Sequence, residues 1–280
     1  NRARGLGLIG AAFGLGFIFG PAVGGALSVF GYSVPAFTAA GLSFLNFVTV
    51  LLWLPESLTE ERRADLARRP RPAISLKELW NALQSPGIGP LFHVRLFFGL
   101  ASALFQGVFA LYAQYRLALA ATQTGYLLAY VGVLVVLVQG LAIGRLTARF
   151  SETRLIVGAS VLLALSLAGW ALAPNLAVLL VVLAPLALGT GVLNTVVNSA
   201  ITKAVTPEQV GGALGLSASL ESLSRIVGPA LGGALLQVVG AWSPGVLGAL
   251  IMVWLVSFSI RRLDQSGIVP KPAMATESRY

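Results

Sequence analysis

Glu221 and Arg225 stand out chemically in this 280-residue chain, because both lie inside an apolar stretch long enough to cross a lipid bilayer. An unpaired charge at the bilayer centre costs roughly 2.5 to 3.5 kcal/mol even on the lenient insertion scale, so ionisable groups at that depth mark a pathway by default. Four residues apart on a helix, the two share a face and neutralise each other. Two roles are open to them: facing a central cavity, where they bias substrate charge or gate closure, or forming a self-satisfied structural pair. Gln106, Gln139, Asn194 and Asn198 are the uncharged polar candidates to line such a cavity, with hydrogen bonding between helices as the competing role. Phe105, Phe109, Tyr112, Tyr126 and Tyr130 offer aromatic walls for an amphipathic organic molecule, or contact with lipid. Arg95 sits near the start of its segment, close enough to the surface to snorkel, and the single His93 beside it has no partner in view for a proton relay.

Other chemistries lack their residues. The chain has no cysteine and one histidine, which leaves no thiolate metal site and no histidine cluster. No phosphate-binding Gly-x-x-x-x-Gly-Lys-Ser/Thr loop and no nucleophile with a nearby base occur, so the chain is read as a non-enzyme without a metal or cofactor.

The elements that must position these residues are apolar helices. The chain is 56% hydrophobic and 10% charged, against about 25% charged for soluble domains. Its charges fall between uncharged runs, and Gly31-Tyr32-Ser33 with Pro35, Pro174-Asn175, and Gly240 through Pro244 divide the longest runs. The pattern predicts an all-α polytopic membrane protein with eight spanning helices near 5–30, 34–54, 89–114, 122–147, 154–173, 176–202, 208–238 and 243–261. The connection from Pro55 to Pro86 holds a capping-box spacing at Ser75 and Glu78 ahead of Leu76, Leu79, Trp80 and Leu83, which predicts a short amphipathic helix at the interface.

Orientation follows from the basic residues. With a cytoplasmic N-terminus, 16 of the 19 Lys and Arg fall on the cytoplasmic side, Arg116 alone falls on the other, and Arg95 and Arg225 lie within helices. The net charge of +9 is thereby a topology signal rather than a nucleic-acid footprint, and both termini are placed in the cytoplasm of an inner cell membrane.

Gly20-Pro21-Ala22-Val23-Gly24-Gly25-Ala26-Leu27 returns as Gly228-Pro229-Ala230-Leu231-Gly232-Gly233-Ala234-Leu235. Six spans separate the copies, so the repeating unit has six helices and the leading half is short. Phe13 and Phe17 occupy the places of Glu221 and Arg225 in the first copy, so duplication does not account for the charges. Glycines at four-residue spacing admit a close neighbouring helix, and Pro21 cannot donate to the Phe17 carbonyl; the copies therefore read as a hinge or gating seam, or as a tight helix crossing.

Gly16-x-x-x-Gly20-Pro21-x-x-Gly24-Gly25 resembles the fifth-helix signature of drug:proton antiporters in the major facilitator superfamily. Gly144-Arg145-Leu146-Thr147-Ala148-Arg149-Phe150 is similar to that superfamily's cytoplasmic gate-loop signature, with Ala148 in place of its acidic residue. The resemblance implies helices five to twelve of a twelve-helix fold lacking its first four. Residues 1–54 then close the N-terminal half, 55–88 form the linker, 89–262 the six-helix C-terminal half and 263–280 a cytoplasmic tail. Asn1 is not an initiator methionine, so the sequence reads as a fragment. The implied function is proton-coupled efflux of drug-like or other small organic molecules by a lipid-embedded monomer. A sugar or metabolite symporter, or a non-transporting membrane remnant, is the alternative.

Overall fold

The computed structural model describes residues 15–16, 18–54, 76–206 and 209–263. The start of the first span with Phe13 and Phe17, most of the linker with Ser75, Glu208 and the C-terminal tail lie outside the described residues. Every regular element among those described is helical. We number them α1 Ile18–Phe30, α2 Ser33–Trp53, α3 Leu76–Gln84, α4 Gly89–Leu117, α5 Ala121–Arg149, α6 Glu152–Leu172, α7 Leu176–Lys203, α8 Val210–Val238 and α9 Ser243–Arg262. From α2 onward each helix lies within a few residues of its predicted position, and α1 ends where the span predicted over 5–30 ends. The turns fall where the backbone demands them: Gly31 (φ 120°) and Gly240 (φ 130°) both adopt the left-handed conformation that glycine alone takes at no steric cost.

Six helices, α2, α4, α5, α6, α7 and α9, are long and apolar enough to cross a membrane. α8 has 29 residues, ample for a crossing. Its lower apolarity follows from Ser217, Ser219, Ser222 and Ser224 clustered around Glu221 and Arg225. α2 buries no side chain, and its exposed Phe37, Phe44, Phe47 and Leu51 suit contact with lipid tails.

The interior is built by α4, α6, α7 and α9, with α8 against α4 and α5 against α7. Small residues set the close approaches: a Cβ on Gly245 would lie 2.8 Å from Ala171, and one on Gly189 would lie 3.0 Å from the Ala159 carbonyl. Phe105, Phe109 and Tyr112 do not line a cavity. They are at most 4% exposed and surround the buried Trp170, with Phe105 edge-on at 5.0 Å and Tyr112 at 5.1 Å between ring centroids. Tyr126 is exposed, while the half-buried Tyr130 hydroxyl reaches 3.5 Å from the Leu180 carbonyl. The Tyr112 hydroxyl donates to the Trp170 carbonyl at 2.8 Å. Tyr112→Phe is therefore expected to cost about 1 kcal/mol, read as a shift of the reversible unfolding midpoint in mixed micelles.

Candidate functional site

The site begins with the face that α4 and α8 present to each other. Both helices run in the same sense, and small residues recur at one-turn intervals along the contact. A Cβ on Gly99 would lie 2.9 Å from the Ser224 hydroxyl, one on Gly107 2.8 Å from the Pro229 ring, one on Gly228 2.5 Å from the Ala103 Cβ, and one on Gly232 2.8 Å from Val108. The Ser224 hydroxyl sits 3.1 Å from the Leu96 carbonyl, which fixes the register across the seam. Pro229 has no N–H to offer the Arg225 carbonyl, so the backbone ladder of α8 opens one turn beyond the charged pair.

Arg95 and Glu221 meet at the next turn of this seam toward the N-terminal ends of both helices. Glu221 is the hub: its Oε2 accepts from Arg95 Nη2, and its Oε1 accepts from Arg225 Nη2 at 2.8 Å. Arg95 Nη1 donates to Asn194 Oδ1 on α7 at 2.9 Å, which ties three helices together. Arg95 is 6% exposed and its Nε is buried without a partner. The Glu221 and Arg225 side chains are 32% and 72% exposed. Glu221 lies eleven residues into α8 and Arg95 six into α4, about 16 and 9 Å of helix respectively.

The sequence pairing of Glu221 with Arg225 is present, but it is one arm of a larger cluster. Arg95 does not snorkel. It is held inward because it continues the small-residue face Gly99, Ala103 and Gly107, where a carboxylate waits across the seam. That spacing is the sequence signal which finds it.

The remaining candidates separate. Asn198, one turn from Asn194, stays outside the cluster, as do the exposed Gln106 and the half-buried Gln139. Gln139 belongs to a π-helical turn, Val138–Ala142, within α5, a deformation frequent at functional sites. His93 Nδ1 lies 2.9 Å from its own helix's Gly89 carbonyl, and its ring packs on Phe258 at 5.3 Å.

In the first copy of the repeat, a Cβ on Gly16, Gly20 or Gly24 would meet nothing within 4 Å among the described residues. The tight contact is made instead by Gly25, about 100° further round the helix. A Cβ there would lie 3.1 Å from Gly125 Cα, and one on Gly125 would overlap the Pro21 carbonyl. In the second copy Gly228, Pro229 and Gly232 engage α4, whereas Gly233 faces open space. At the gate loop Gly144 is likewise open, Arg145 Nη1 donates to the Leu141 carbonyl at 3.1 Å, and Arg149 is exposed. No carboxylate pairs with either arginine among the described residues.

Sequence reasoning missed a second polar contact. The 8% exposed Glu152 begins α6, and its Oε1 accepts from Lys203 Nζ at 2.7 Å and from the Ser199 hydroxyl at 2.9 Å, joining the ends of α6 and α7. Glu152 follows Ala148 by one turn, so the acidic residue expected in the loop signature has a neighbour that turns to α7 rather than to the loop arginines.

The sequence model of the Major Facilitator Superfamily matches residues 1–139 and 91–277. The chain is 35% identical over 241 residues to "Solute carrier family 22 member 18" of Rattus norvegicus, covering 86% of this chain and 58% of that protein. It is 29% identical over 236 residues to "Tetracycline resistance protein, class C" of Escherichia coli, covering 82% and 57%. The crystal structure of the human organic anion transporter MFSD10 (TETRAN) superposes with a TM-score of 0.62 at 23% identity, over 92% of this chain and 63% of that one, a likeness of fold. The chain thus spans somewhat under two thirds of the length of these relatives.

Proposed function

Because this chain belongs to the Major Facilitator Superfamily, whose members are membrane transporters, we propose that it acts as a secondary transporter exporting small organic molecules in exchange for protons. The observation that carries this reading is the Arg95–Glu221–Arg225 cluster, held at membrane depth beside the broken backbone ladder at Pro229. Glu221 is the one carboxylate inside the apolar segments away from a helix end. A proton delivered to it removes its negative charge and releases both guanidinium groups, and loss of that proton restores the bridge between α4 and α8. Such a bistable contact is what alternating access requires. Similarity to a tetracycline resistance protein supports export and a drug-like substrate.

Under this proposal the leading helices and the six-helix half rock about their shared seam, with the close contact of Gly25 and Pro21 with Gly125 as one pivot and Gly228-Pro229 as the other. The loop containing Gly144, Arg145 and Arg149 closes the cytoplasmic side. The chain resides in the cell membrane with both termini in the cytoplasm. Its lack of native cysteine makes the topology directly measurable. Arg149→Cys is expected to react with an impermeant maleimide only after the membrane is opened, and Arg116→Cys in intact cells; labelling of both from outside would reject the orientation.

The transport reading is tested by tetracycline accumulation in cells producing the chain. Accumulation that falls, and returns when the proton gradient is collapsed, supports export. Gradient-dependent uptake would make the protein a symporter, and no gradient-dependent change would reject transport.

A further inference from the structure

The cluster is unbalanced: two guanidinium groups share one carboxylate, leaving a net charge of +1 at a depth where an uncompensated charge is costly. Both Glu221 oxygens already accept from an arginine. Arg95 uses the neutral oxygen of Asn194 where a second anion would serve better, and its Nε is buried with nothing to donate to. Arg225 has five N–H donors, of which Nη2 makes the one hydrogen bond formed by its side chain among the described residues, and the rest of its guanidinium is exposed. The low dielectric at membrane depth strengthens any charge pairing formed here, and it favours an anion carried on an apolar body over a bare inorganic ion.

We infer that this cluster is a binding site for an organic anion, whose carboxylate, sulfonate or phosphate group supplies the second negative charge that Arg95 and Arg225 lack. The anion docks on Arg225 from the exposed side and competes with Glu221 for the guanidinium groups. Glu221 is then an internal stand-in for the ligand, reoccupying the arginines once the ligand leaves. A cation gains nothing here, since every charge it meets first is positive. The inference rests on the transport reading only for its consequence, that the bound anion is moved; binding itself stands apart from it.

Fluorescein and rhodamine 123 share a tricyclic skeleton and carry opposite charges, and their binding to the purified chain in detergent is read by fluorescence polarisation. Fluorescein is expected to bind at least about tenfold more tightly than rhodamine 123 and to be displaced by benzoate. Arg225→Gln is expected to weaken fluorescein about tenfold, with Arg225→Lys between the two. Glu221→Gln raises the cluster charge to +2 and is expected to tighten fluorescein about tenfold, an opposite sign that general damage to the fold does not produce. Equal binding of the two dyes, fluorescein affinity unmoved by Arg225→Gln, or displacement by phosphatidylglycerol but not by benzoate would overturn the inference. Cells that export tetracycline while the purified chain ignores fluorescein's charge would keep the transport reading and discard the anion site. Anion binding without gradient-driven flux would do the reverse.

Discussion

Glu221→Leu is expected to destabilise the protein by about 3–5 kcal/mol, because it strands the buried Arg95 with only the amide oxygen of Asn194 for a partner. Arg225→Leu removes the exposed arm of the cluster, an i, i+4 contact with a side chain 72% accessible, and is expected to cost less than about 1 kcal/mol. Arg95→Leu combined with Glu221→Leu removes both members of the bridge and fills the seam with apolar atoms, so most of the loss is expected to return. Reversible unfolding in detergent and dodecyl sulfate mixtures measures all three. A double variant as unstable as Glu221→Leu alone would show that the two side chains do not depend on each other.

The second large effect lies two turns further along the same seam. Gly228→Val is expected to cost about 2–3 kcal/mol, since its Cβ would sit 2.5 Å from the Ala103 Cβ and 2.9 Å from the α4 backbone at Ala103 and Leu104. Main chain cannot step aside as a flexible side chain can. Ala103→Gly relieves the methyl contact but leaves the backbone overlap, so it is expected to restore only part of the loss. Gly233→Val is the internal control: the same substitution in the same repeat meets nothing within 4 Å and is expected to change stability by less than about 0.5 kcal/mol. Equal costs at the two glycines would mean that α4 and α8 do not pack as described.

These contrasts mark what the linear pattern carries. Helix positions were legible because lipid demands uncharged runs of about 20 residues, and a run's ends are written by charges, prolines and glycines. The i, i+4 pairing of Glu221 with Arg225 was legible for the same reason, since one helix determines it. The inward turn of Arg95 is not legible in its own span, because its partner lies 126 residues away and a span's depth scale alone cannot distinguish a side chain drawn outward from one drawn across a seam. The Glu152–Lys203 contact is hidden in the linear pattern on the same grounds, its members lying 51 residues apart at the ends of two different helices. The aromatic wall failed because Phe105, Phe109 and Tyr112 are as apolar toward Trp170 as toward a ligand or a lipid. Of the signature Gly16, Gly20, Pro21, Gly24 and Gly25, the close approach among the described residues is made at Gly25, since spacing identifies a smooth face without naming what meets it. The π-helical turn around Gln139 leaves no mark in the local composition.

The central claim is that Glu221 alternates between its arginines and a proton as substrate passes. It is tested most directly by gradient-driven flux of tetracycline and fluorescein into inverted membrane vesicles, comparing the native chain with Glu221→Gln at equal amounts of folded protein. Flux by the native chain that falls at least about a hundredfold in Glu221→Gln, with fluorescein still bound, is the predicted result. Native rates in Glu221→Gln would contradict the account.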